Sequence, residues 1–288
     1  MKKLIIAILL AGLPAMADLV QPKEYKDFDK VTVMITDKEG RSGGTGWVLK
    51  STPTKSYVIT NRHVCGIYDM FGSLTVKHSK GSFQAQRVKI SETHDLCLVE
   101  VYTDLGVDTK IAETAAAYGD KITIAGHPRL LPLMLSEGHV GEKFEITIVV
   151  GVRKCTNEEK DSNNLYCLNY GVVPIAKNFE STTASAFIAG GNSGSGVFNS
   201  QGEVVGVAFA GFGGGYSQAF IVPFEFLKTF VKTEVKDLKW NNVSGPRDLV
   251  ISVRSSGERG ETNKNTIYPA IENSIITDLT EKVVKKEK

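Results

Sequence analysis

Beyond its first seventeen residues the sequence has no apolar run approaching the roughly 20 residues needed to cross a bilayer. It also lacks a charge excess, with 34 Lys and Arg against 32 Asp and Glu and a net charge of +2. That balance removes the basic footprint of a nucleic-acid binder. Together with 42% hydrophobic residues, it excludes an intrinsically disordered chain. Cysteine is sparse, at four in 288 residues. No C-x₂-C pair or mixed His/Cys cluster has zinc-site spacing, so neither a metal nor another cofactor is expected. Glycine is plentiful at 28 residues, which suits many tight turns, and the length fits one large all-β domain or two average ones.

The first seventeen residues, MKKLIIAILLAGLPAMA, read as an export signal. Lys2 and Lys3 form a positive start, Leu4 to Leu13 an apolar stretch, and Ala15-Met16-Ala17 a small-x-small cleavage pattern. Cleavage before Asp18 would remove two lysines and no acid, and would leave the rest balanced in charge and without stable membrane insertion. The expected destination is the periplasm or the medium. An oxidising compartment makes disulfides the expected state of the cysteines. Cys155 and Cys167 flank the polar run TNEEKDSNNLY; pairing them closes a loop of about 13 residues, worth about 3 kcal/mol in the chain-entropy account.

From residue 30 onward, short β-prone runs recur at 31–35, 46–50, 56–60, 74–78, 97–101, 121–126, 145–153, 169–175, 196–199, 203–209 and 218–222. Gly, Asp, Asn and Ser clusters such as 37–44 separate them. Many short strands with turns between them indicate a sandwich or barrel rather than βαβ units. Pro223 then opens a helix with Phe224, Leu227, Phe230 and Val231 at helical spacing. The expected organisation is an export signal at 1–17, a polar lead at 18–29, one body at 30–232, and a polar extension at 233–288. Ile271, Ile275, Leu279 and Val283 in that extension would line one helix face.

Three segments carry chemistry: TNRHVCG with His63, THDLCLVEV with Asp95, and AGGNSGSGVFNSQGEVVGV with Ser193. A serine hydroxyl needs a base within hydrogen-bond reach, and imidazole serves near neutral pH. A carboxylate fixes the imidazole tautomer and stabilises the imidazolium. Glycines around Ser193 let successive N–H groups aim at a developing oxyanion. All five histidines precede the serine, and β-prone runs flank it on both sides, so the strand–turn–helix elbow of α/β-hydrolases does not fit. His94, beside Asp95, is expected to face the other way. His78, His127 and His139 read as surface or turn residues, and Asp69 and Asp104 are the rival acids.

At these residues the chain resembles the chymotrypsin-fold serine endopeptidases. TNRHV and HDLCLVEV are similar to segments of HtrA/Deg proteases, and GGNSGSGVFN to a segment of staphylococcal-type glutamyl endopeptidases. GHPR at 126–129 and QAFIVP before a helix match later landmarks. The resemblance covers roughly residues 30–232, and nothing after 235 resembles a PDZ module. It implies an all-β fold of two perpendicular six-stranded β-barrels with a C-terminal helix. It further implies Ser193 as nucleophile, His63 as base then acid, and Asp95 as the orienting carboxylate. The N–H groups of Gly191 and Ser193 would form the oxyanion hole, and the partners would be protein or peptide substrates.

Cys65 and Cys97 each lie two residues after one of these groups. If His63 and Asp95 touch, a Cys65–Cys97 bridge within the usual 4.4–6.8 Å Cα separation becomes conceivable. The alternative is two buried thiols. In this fold the residue six before the nucleophile lies at the base of the specificity pocket. Phe187 stands there, so a basic residue before the cut gains no partner. With Phe187, Ile188, Ala208 and Phe209 as lining and the substrate strand alongside Phe209–Gly211, a small or medium apolar residue is expected before the cut. Alternatives are a protease-fold peptide binder without turnover, or an esterase using the same groups.

Overall fold

The structure is a computed structural model and describes residues 17–67, 73–158, 172–212, 218–232 and 241–242. Two closed six-stranded antiparallel barrels account for most of it. The first joins β2 (Thr32–Thr36), β3 (Gly43–Thr52), β4 (Lys55–Thr60), β5 (Thr75–His78), β6 (Gly81–Ile90) and β7 (Cys97–Val101). Its strands run in the order β6-β5-β2-β3-β4-β7, and the β6–β7 pairing closes it. The second is closed in the order β10-β11-β14-β13-β12-β9. Its members are β9 (Lys121–Gly126), β10 (Met134–Lys154), β11 (Val172–Ala184), β12 (Gly196–Asn199), β13 (Val204–Phe212) and β14 (Gln218–Val222). The all-β expectation is borne out, and closure leaves few exposed strand edges.

Alternation sets the core. Val33, Ile35, Trp47, Val58, Ile59, Val88, Val99 and Val101 are fully buried in the first barrel. Ile122, Ile124, Val197, Val207, Phe220 and Ile221 fill the second. All five residues of β7 are buried, including Glu100. Burial by itself would raise the Glu100 carboxyl, but hydrogen bonds and charge from Arg87 and Lys55 outweigh it and hold it below the usual range.

The segment expected to be a polar lead is instead structured. Asp18–Val20 forms β1, which pairs in parallel with β8 (Val107–Thr109). Tyr25–Val31 forms a short helix, α1, so Val31 ends a helix rather than beginning a strand. Phe28 of α1 meets Phe198 of β12 edge to face at 5.1 Å, and the Tyr25 hydroxyl donates to the Leu133 carbonyl at 2.7 Å. The segment thus ties into the second barrel before the first begins. Residues 81–90 and 178–184 are strands that the β-prone runs did not include.

Arg62–Cys65 is a single helical turn, α2, and Phe224–Lys232 the expected C-terminal helix, α3. Phe226 of α3 stacks on His94 with ring centroids 3.5 Å apart. Of the extension, only β15 (Asn241–Asn242), paired with β6, lies within the described residues; the stripe from Ile271 to Val283 lies outside them.

Candidate active site

Strand pairing brings the His63 and Asp95 segments together. β4 and β7 are antiparallel, with Thr60 opposite Cys97. The chain leaving β4 and the chain entering β7 therefore share one end of the barrel. His63 lies in α2 just past that rung, and Asp95 just before it. The His63 ring Nδ1 meets Asp95 Oδ2 at 2.6 Å, and the His63 backbone N–H donates to Oδ1 at 3.0 Å. The carboxylate acts as acceptor, so Nδ1 carries the proton and Nε2 is left to accept one. Both side chains are largely sheltered, at 18% and 13% exposure.

A residue whose role the sequence did not disclose holds this pair from beneath. The buried Asn61 amide donates to the Asp95 carbonyl at 2.7 Å. The same strand end carries the disulfide that joins Cys65 to Cys97, with Cα atoms 6.5 Å apart. Cys155 is also disulfide-bonded, and Cys167 lies outside the described residues.

Ser193 sits on the turn between β11 and β12. A Cβ built on Gly44 would meet both Val64 Cγ2, at 2.6 Å, and the Ser193 carbonyl oxygen, at 2.7 Å. The Ser193 turn and the residue after His63 therefore close on one point. No hydrogen bond joins the Ser193 hydroxyl to His63 among the described residues. Such bonds commonly tighten only when substrate is bound.

The turn itself is fully determined. Each carbonyl from 189 to 193 is occupied. Ala189 accepts from the Asn192 N–H at 3.0 Å, Gly190 from the Arg129 N–H at 2.5 Å, and Asn192 from the Ser195 N–H at 2.9 Å. Gly191 accepts from the Thr45 hydroxyl at 2.7 Å, and Ser193 from the Thr45 N–H at 2.7 Å. The C=O and N–H of a trans peptide point opposite ways. Turning the Gly190 and Asn192 carbonyls outward therefore turns the N–H groups of Gly191 and Ser193 inward, where neither meets a protein acceptor among the described residues. Gly191 and Gly194 have φ of +97° and +90°, which L side chains rarely adopt.

The other candidates have ordinary partners. His94 N–H donates to Ser91 Oγ and its ring lies under Phe226. It lies in a bend rather than on a strand, so its orientation comes from that stacking and not from strand alternation. Asp104 Oδ1 accepts from the Gly106 N–H in a turn. His78 Nε2 donates to the Lys30 carbonyl, and His127 Nδ1 to the Leu131 carbonyl. Asp69 lies outside the described residues. Those residues hold no cluster of metal-ligating side chains.

The residues expected to line the specificity pocket divide. Ile188, Ala208 and Phe209 are buried, whereas Phe187 is 52% exposed. Phe187 lines a cavity of about 170 Å³ with Asn192, Ile124, Pro128, Met134, Leu135 and Ser136. Ile188, not Phe187, reaches across to Gly211, where an added Cβ would overlap its Cγ2 methyl.

A family profile described as the trypsin-like peptidase domain matches residues 44–207. The chain belongs to the trypsin-like peptidase family. By that membership it is a serine endopeptidase, a hydrolase acting on protein or peptide substrates. Among solved structures, the active form of the Rv3671c protease from M. tuberculosis is similar at 16% identity and a TM-score of 0.54, covering 79% of this chain and 93% of its own. The inactive form of that protease gives 18% and 0.51, covering 72% and 90%. A serine endoprotease from Yersinia pestis gives 19% and 0.51, covering 75% and 68%. At these identities the likeness is one of fold. No curated protein matches the chain.

Proposed function

We propose that this trypsin-like peptidase cleaves peptide bonds through Ser193, His63 and Asp95, after export, and next to a small apolar residue. The observation that carries the proposal is the two-point grip of Asp95 on His63, beside a nucleophile turn with two unoccupied N–H groups. In this reading Ser193 Oγ attacks the scissile carbonyl carbon as its proton passes to His63 Nε2. The carbonyl oxygen, now an oxyanion, receives hydrogen bonds from the Gly191 and Ser193 N–H groups. The imidazolium, stabilised by Asp95, returns the proton to the departing amine. Water, deprotonated by His63, then attacks the acyl carbon; the acyl–Oγ bond breaks and the imidazolium returns the proton to Ser193 Oγ.

Substrate preference follows from the wall opposite the turn. Ile188 is 7% exposed and its methyl occupies the space beside Gly211, while Ala208 and Phe209 add only apolar surface. A charged side chain there would lose its water without a partner, and a long one would have to displace Ile188. Alanine or valine before the cut fits best. Export is supported by the disulfides, which persist in oxidising compartments. No helix of the described residues is long and apolar enough to cross a membrane.

The test is labelling with a fluorophosphonate probe, comparing wild type with Ser193→Ala, followed by digestion of a peptide library. Labelling of wild type alone, with cuts after small apolar residues, is expected. An unlabelled wild type would sink the mechanism. Cuts after Arg, Lys or Glu would sink the specificity, and ester turnover without peptide turnover would make it an esterase.

A further inference from the structure

We propose that Thr45 is a positioning residue for the oxyanion turn, its hydroxyl holding the Gly191 carbonyl out of the space where the Gly191 and Ser193 N–H groups converge. The inference rests on the reading that Ser193 is the nucleophile and that those N–H groups receive the oxyanion.

Thr45 belongs to β3 of the first barrel and is fully buried. Its hydroxyl stands between two backbone groups of the second barrel. The His127 N–H donates to Thr45 Oγ1 at 2.9 Å, and Oγ1 lies 2.7 Å from the Gly191 oxygen. A carbonyl can only accept, so the hydroxyl proton must point at Gly191. Incoming and outgoing bonds thus fix one rotamer and one direction of donation. The Thr45 main chain is engaged as well. Its N–H donates to the Ser193 carbonyl at 2.7 Å, and its carbonyl accepts from the Thr60 hydroxyl at 2.6 Å. One residue therefore grips the carbonyls on both sides of Asn192.

The neighbouring turn completes the frame. Arg129 and Leu130 both have positive φ, 55° and 58°, unusual for residues with side chains. In that conformation the Arg129 N–H reaches the Gly190 carbonyl. A Cβ on Gly191 would meet Arg129 N at 2.7 Å and Leu130 N at 3.0 Å. The turn is thus moulded against Gly191, and Thr45 ties it to the first barrel through His127. Without the hydroxyl, the half-buried His127 N–H and the buried Gly191 carbonyl both lose a partner. Rotation of the 191–192 peptide towards the cleft then becomes the simplest way to satisfy the carbonyl.

Thr45→Val keeps the shape and removes the hydroxyl, Thr45→Ala removes both, and Thr45→Ser keeps the hydroxyl. Burst titration with an activated ester separates the number of competent sites from the rate constant per site. Peptide hydrolysis gives kcat and KM, and thermal unfolding reports folding. The expected result is a fall in acylation rate constant and kcat on the order of 10- to 100-fold for Val and Ala, less than the roughly 10²- to 10³-fold that removing an oxyanion donor outright costs. KM should stay within about 2-fold and Ser within about 3-fold of wild type. A purely structural role would reduce the number of sites and the melting temperature without slowing each site, and that outcome overturns the proposal. So does a Ser variant as slow as Val, or a requirement of the hydroxyl for folding that leaves only Ser soluble. A wild type that is not acylated at Ser193 defeats the underlying reading, and the proposal with it.

Discussion

Ile188 and Gly194 are the residues where single substitutions are most informative. Ile188→Gly should open the wall beside Gly211 and raise the relative kcat/KM for leucine or phenylalanine before the cut on the order of 10-fold, since each methylene accommodated is worth about that much. A fluorogenic peptide series checks it; an unchanged preference would place selectivity elsewhere. Gly194→Ala should abolish activity and lower stability. Its φ is +90°, and a Cβ there would overlap the Thr45 carbonyl and the Thr60 hydroxyl. The spacing of glycines round Ser193 made this turn legible in the sequence, because only such a run can make it. Thr45 gave no comparable signal, since a threonine between a glycine-rich turn and a strand is ordinary. Arg129 and Leu130 were equally silent, as the left-handed region is usually marked by Gly or Asn.

Among the elements, the strand pair β4–β7 and the crossing at Cys65–Cys97 hold His63 against Asp95. The bridge spans 32 positions, which the chain-entropy account values at about 3–4 kcal/mol. The double variant Cys65→Ser, Cys97→Ser should therefore unfold at markedly lower denaturant concentration. It should also lose some kcat if the bridge keeps α2 in register with Asp95. Urea titration and peptide assays on the same sample separate the two effects. Strands with strong β-branched runs, such as 56–60 and 97–101, were legible because alternate residues must be apolar on a buried sheet. The strand at 81–90 was not, since GSFQAQRVKI mixes polar residues along much of its length and its early positions are exposed. Helix α1 escaped for a similar reason. Seven residues with two buried side chains, Phe28 and Val31, make too short a pattern to read as helical.

At the scale of the whole molecule, acid is the predicted weakness. Burial holds the His78, His94 and His127 imidazoles below their ordinary value of about 6.5. Such groups take up protons more readily once the chain unfolds. Their contribution is complete above about 6.5 and is lost as pH falls from there through the lower folded values. The melting temperature should drop between pH 7.5 and 5.5, and the slope should lessen in His94→Phe, which keeps a ring against Phe226. An unchanged slope in that variant would remove His94 from the account. The contact between Phe28 and Phe198 has a different kind of consequence. Phe28 finds Phe198 about 170 positions later in the chain, so this contact of α1 must wait until the second barrel exists, whereas the core that α1 shares with the first barrel is available earlier. Contacts so distant in sequence slow folding. The tie between α1 and the second barrel is therefore a late event, possible only once most of the peptidase body has been made.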